Sequence, residues 1–205
     1  MKRYAIFLLA LLCAGLLASC SGVPAQSVNL KPEIKAPSGN VGKGKAVALR
    51  VVDARADRVI GYRNTDGSHG APITVEGDLA QSVGQPLGRM LSSLGFEPAP
   101  YKDGAARSLT VTIRELGYNA QALTVTRKVT TKCVLAVRAT NGPGTWEGNF
   151  PVSQERELMM APDENANARL VNDVLSESLS MMMSDPELVQ FLGKDSVPGK
   201  TTIKE

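Results

Sequence analysis

The chain has 205 residues, of which 43% are hydrophobic and 21% charged, a balance that permits a packed core and argues against wholesale disorder. Its length fits one domain with short appendages and excludes a large barrel enzyme. A single histidine and only 4% aromatic residues count against histidine-based catalysis, a multi-histidine metal site and a base-stacking surface.

Lys2 and Arg3 precede an uncharged apolar run of 13 residues, 5–17. A helix needs about 20 residues to cross a bilayer, so this run reads as a signal peptide. It ends in Leu17-Ala18-Ser19-Cys20, the pattern of a bacterial lipobox. The predicted cleavage falls between Ser19 and Cys20. Cys20 would then carry a diacylglyceryl group and an N-acyl chain, with no other cofactor expected. Several acyl chains, at about 0.8 kcal/mol per buried methylene, would hold the chain on a membrane. Ser21 is not the aspartate that commonly retains a lipoprotein at the inner membrane, so a periplasm-facing outer-membrane address is expected. Losing Lys2 and Arg3 leaves 21 basic side chains against 20 acidic ones, and no basic block exists to bind nucleic acid. Cys13 leaves with the leader and Cys20 is capped, so Cys133 has no disulfide partner and is expected to be buried.

Residues 20–44 contain Pro24, Pro32 and Pro37 with Gly22, Gly39, Gly42 and Gly44, which predicts a flexible tether averaging roughly 25–30 Å end to end. Val28, Leu30 and Ile34 alternate loosely with polar residues and permit a short edge strand. A domain is predicted over residues 45–193, with a polar, disordered tail over 194–205. Its first strand places Val47, Leu49 and Val51 on one face. The charged stretch Asp53, Arg55, Asp57 and Arg58 follows, then the pair Val59-Ile60 and a loop over residues 64–70.

Leu79, Val83, Leu87, Met90, Leu91 and Leu94 predict a helix over residues 78–94, stopped by Gly95. Pro86 within it predicts a kink or a frayed first turn. Three strands come next. Residues 108–120 change phase between Ile113 and Leu116, as a bulge would cause. Residues 122–140 put Leu123, Val125, Val129, Cys133, Leu135 and Val137 on one face. Residues 145–153 align Trp146, Phe150 and Val152, after the turn Asn141-Gly142-Pro143-Gly144. A final helix opens at Pro162-Asp163-Glu164 with Leu170, Val171, Val174, Leu175, Met181 and Met182 on its apolar face, and Asp185-Pro186 starts a short helix. The order β-α-β-β-β-α predicts an α+β fold: a single antiparallel sheet with helices packed on one face.

Candidate chemistry is thin. Ser68-His69 lies in a Gly-rich loop, without a nucleophile elbow and without the rigidity that catalysis requires. Consecutive methionines 181–183 diverge by about 100° each on a helix and cannot converge on one soft metal ion. Asn64-Thr65-Asp66-Gly67 lacks the twelfth-position glutamate of a calcium loop, where Val75 stands. Asp53, Arg55, Asp57 and Arg58 remain as a candidate interaction surface or a solvated, self-paired loop.

The lipobox, the run Leu49-Arg50-Val51-Val52-Asp53-Ala54-Arg55, the pair Ile60-Gly61, the helix end Leu94-Gly95-Phe96, the threonine-rich strand and the helix over residues 172–183 before Asp185-Pro186 resemble the YajG-like lipoproteins of Gram-negative bacteria. The resemblance implies an outer-membrane lipoprotein without established catalytic residues. The expected role is a non-catalytic binding or scaffolding module, held by its lipid and meeting an envelope protein or glycan. The alternative is an assembly accessory docked on a barrel protein, resembling the lipopolysaccharide-assembly lipoprotein in architecture only.

Overall fold

The computed structural model describes residues 24–63 and 70–195, with the backbone of 202–203. Among these, nine strands form one sheet: β1 (Gln26–Val28), β2 (Ala46–Asp53), β3 (Val59–Tyr62), β4 (Pro72–Val75), β5 (Glu97–Pro100), β6 (Arg107–Ala122), β7 (Arg127–Asn141), β8 (Gly144–Leu158) and β9 (Thr202–Ile203). Three helices are α1 (Leu79–Ser93), α2 (Glu164–Ser184) and α3 (Pro186–Gly193).

The long antiparallel meander β6–β7–β8 is the frame, as its sequence spacing predicts. The phase change in β6 is a bulge between Ile113 and Glu115. It keeps Leu109, Val111 and Ile113 on the same buried face as Leu116 and Tyr118. Val129, Cys133, Leu135 and Val137 of β7, with Trp146, Phe150 and Val152 of β8, complete that face. The helices cover it, and Lys132 and Arg138 project from the opposite side to solvent. The predicted strand over 122–140 begins later, because residues 123–126 form the turn into β7 and leave Leu123 and Val125 exposed.

The sheet is mixed, not antiparallel throughout. β2 and β3 both run parallel to β6 on the same edge, β2 beside residues 108–113 and β3 beside 118–119. They are one strand line interrupted by residues 54–58, opposite the β6 bulge. There the sheet forks: β5 adds in parallel to β2, and β4 then β1 add to β3. The added strands are short or proline-bearing, and Pro98 and Pro100 are tolerated because β5 is an edge. The parallel segments return through connections that local pattern cannot pair.

Asp78 caps α1 by accepting from the Gln81 amide at 3.1 Å, and the helix continues through the buried Pro86. Gly95 ends it at φ +82°. In α2 the buried stripe is Val171, Val174, Leu175, Leu179, Met182 and Met183, whereas Met181 is exposed. Met181 lies at the margin of the packed sector, so the expected face is shifted by one residue at its end, to Met182 and Met183. Asp185 caps α3, accepting from Glu187 and Leu188 amides at 2.8 and 3.1 Å.

Residues 26–44 are not a free tether. Gln26, Val28, Leu30 and Pro32 point inward and are buried, Ile34 and Ala36 partly so, a period of two along an extended strap. On the strap, the amides of Lys31, Glu33 and Lys35 donate to Asn172 Oδ1 (2.7 Å), Ser176 Oγ (3.0 Å) and Ser180 Oγ (2.9 Å) of α2. Two extended residues advance about 6.7 Å and four helical residues about 6 Å, so three successive rungs stay in register. Farther on, the amides of Gly39, Gly42 and Gly44 donate to the carbonyls of Ser93, Leu94 and Gly95, closing the end of α1. At Gly42 a side-chain carbon would sit 2.4 Å from the Phe96 nitrogen, so the residue is there for close approach and not for mobility. In the tail, β9 lies parallel to β8, with Thr202 opposite Trp146.

Candidate functional site

The charged stretch occupies the fork of the sheet. Its first residue ends β2, and the Ala54 amide makes the last bond to β6 at the Ile113 carbonyl, 3.0 Å. Arg55 then folds back: Nε and Nη2 each donate to one carboxylate oxygen of Asp53 at 2.8 Å. The Arg55 side chain is only 7% exposed, and its Nη1 has no partner among the described residues. The Arg55 side chain, donating to Asp53, holds that carboxyl below its ordinary value against the opposing effect of burial. Asp57 accepts from the Val59 amide at 3.0 Å and turns the chain into β3. Arg58 is exposed.

The four residues therefore do not form one surface. Asp53 and Arg55 close on each other, Asp57 shapes a turn, and Arg58 faces solvent. Burial of Arg55 was not legible in its polar neighbourhood. The signal that could have found it is the phase change in β6, which marks where the neighbouring strand line must open.

The second polar assembly lies at the pole where the described chain begins, and sequence reasoning did not single it out. Arg63 Nη1 donates to the Pro24 carbonyl at 3.0 Å, and Arg127 Nη1 to the Arg63 carbonyl at 3.4 Å. Gln26 and Asn167 meet at 2.7 Å, both buried. With its amide turned, the Gln26 side-chain oxygen accepts from Arg63 Nε (3.2 Å) and from the Glu164 amide (3.1 Å) at the start of α2. Burial pushes the nearby Tyr118 hydroxyl up to about 12. The assembly fixes Pro24 and Gln26 against Arg63 and the start of α2.

Ser68 and His69 lie outside the described residues, as do Ser19 and Cys20. Cys133 is buried, and burial pushes its thiol up to about 11, which leaves it protonated and unreactive at neutral pH. Among the described residues no group of three His, Cys, Asp or Glu side chains could hold a metal ion, and no helix is long and apolar enough to cross a membrane. The open face of the sheet carries ion pairs between strands, Lys132 to Glu115 at 2.9 Å and Lys128 to Glu155 at 2.7 Å. At the β8 edge, Ser178 Oγ donates to the Phe150 carbonyl at 2.7 Å and Pro151 has no amide hydrogen, so that edge is blunted against strand addition.

A forked mixed sheet with helices on one face, held by its own strap over residues 26–44, defines an α+β domain. The chain belongs to the family described as uncharacterized lipoprotein, Lipoprotein_16, whose family model matches residues 32–193; the resemblance to YajG-like lipoproteins holds. No curated protein matches it. A solved structure, protein XCC0632 of Xanthomonas campestris from the DUF330 family, is similar at 14% identity and a TM-score of 0.51, covering 79% of this chain and 93% of that one. A homolog of a neuraminyllactose-binding hemagglutinin from Helicobacter pylori is similar at 8% identity, covering 78% of this chain and 95% of that one, with a TM-score of 0.40. The first likeness is one of fold alone, and the second carries no argument.

Proposed function

We propose that this lipoprotein is a non-catalytic binding or scaffolding module, lipid-anchored through Cys20 to the outer membrane and facing the periplasm. The observation that supports the reading is the course of the strap. It locks the start of the domain to α2 and the end of α1, a use of chain that suits a body held at one fixed place on a surface. The groups with perturbed ionisation also favour binding over turnover. Asp53 is consumed by Arg55, and the Cys133 thiol and Tyr118 hydroxyl are held protonated by burial.

Cys20→Ser tests the anchor: loss of palmitate labelling and release to the soluble periplasm are expected, and continued membrane retention would count against it. Crosslinking in intact envelopes tests the role. A single stoichiometric barrel partner would replace the general scaffolding reading with that of an assembly accessory.

A further inference from the structure

We infer that the pole of the sheet from which the N-terminus departs lies against the lipid bilayer, with the β6–β7 turn and the residues after β8 seated among the lipid headgroups. This rests on the proposed lipid at Cys20.

Strand direction places these segments together. Ala122 pairs with Arg127, and Arg127 with Leu158, so residues 123–126 and 159–160 project from the same end of the frame. β1 is parallel to β4, β4 antiparallel to β3, and β3 parallel to β6. β1 therefore runs against β6, and residues preceding Gln26 point toward that same end. Arg63 holds the Pro24 carbonyl there. From Pro24 to Cys20 four residues can span at most about 14 Å, so a lipid on Cys20 would keep this pole within about that distance of the membrane.

The pole carries apolar side chains that the fold does not use. Leu123 is 44% exposed, Val125 77%, Met159 78% and Met160 80%, half of the large exposed hydrophobic side chains among the described residues. Among the described residues, the charges beside them balance. Arg63, Arg127, Lys128 and Arg156 stand against Glu155, Glu157, Asp163 and Glu164, with Lys128 and Glu155 paired. The contact is accordingly apolar insertion, not attraction to anionic headgroups, and is insensitive to salt. A lipid surface is the occupant because the anchor brings it to this pole in every copy of the chain.

The test uses the full lipidated chain in vesicles of phosphatidylethanolamine and phosphatidylglycerol with brominated acyl chains. Val125→Cys and Pro143→Cys each carry a polarity-sensitive fluorophore, the native thiols being acylated at Cys20 and buried at Cys133. Pro143 sits in the β7–β8 turn at the far end of β7, roughly 45 Å away at the rise of a strand. Expected is quenching several times stronger at position 125 than at 143, unchanged in molar salt. Equal quenching with the protein still floating on vesicles overturns the inference and leaves the anchor intact. Failure to float and to label with palmitate removes both.

Discussion

Arg55 shows how a single side chain can belong to the fold while its neighbours suggest a surface. Its guanidinium is nearly buried with one nitrogen unpartnered among the described residues, so the bidentate bond to Asp53 is what makes that burial tolerable. Asp53→Asn keeps the shape and removes the charge. A loss of about 1–3 kcal/mol at neutral pH is expected, read from urea denaturation. The pH dependence has a definite sign. Asp53 titrates below its ordinary value in the folded chain. Its contribution is therefore fully present above the unfolded value of about 3.9 and is lost as pH falls through the lower folded value. The difference between wild type and variant should shrink below about pH 4. A constant difference down to pH 2 would show that the pair does not contribute as described. At Gly61 a side-chain carbon would lie 1.9 Å from the Tyr118 carbonyl oxygen, because β3 and β6 touch there with nothing between them. Gly61→Ala should cost about 1–3 kcal/mol or more by forcing the strands apart, and an unchanged melting temperature would deny the close approach.

At the scale of elements, the meander and both main helices were legible because each carries its own period over many residues: two in β6, β7 and β8, and 3.6 in α1 and α2. Even the bulge in β6 could be read from the phase of Leu116 and Tyr118. The short strands β3, β4 and β5 could not, and β1 showed only as the short edge strand that the alternation from Val28 permits. Each has three or four residues, too few to establish a period, and Pro98 and Pro100 disguise β5. The strap misled for a different reason. Proline and glycine usually mark flexible chain, but here Pro32 occupies an inward position and Gly42 admits the backbone of Phe96. Asn172, Ser176 and Ser180 at four-residue spacing were the available signal. Read alone they are an ordinary polar helix face, and their meaning appears only when an extended chain is laid beside them. Replacing each by alanine should cost about 1 kcal/mol. Hydrogen exchange separates this ladder from general weakening: Lys31, Glu33 and Lys35 amides should lose protection while those in the middle of β7 keep theirs.

For the whole molecule, the fork decides how the chain must be held together. One edge of β6 is shared by two groups of strands, β2 with β5 and β3 with β4 and β1. Neither group is bonded by its backbone ladder to the other. The strap joins them, starting in β1, crossing on α2 and finishing at the end of α1 beside β2. A chain beginning at residue 32, where the family match starts, would keep most of the rungs on α2 but lose β1. Val28 and Leu30 would vacate buried positions, for roughly 3–6 kcal/mol together, and β4 would become an open edge. Against a total stability of about 5–15 kcal/mol for a domain, that loss is large. If residues 20–31 were only a spacer, removing them would leave the urea midpoint where it was. The strap predicts a strong fall in the midpoint and a gain of aggregation through the exposed Ile73 strand. A truncation that melts with the full chain would return this segment to the role of a tether, and with it the freedom of the domain to stand away from its anchor.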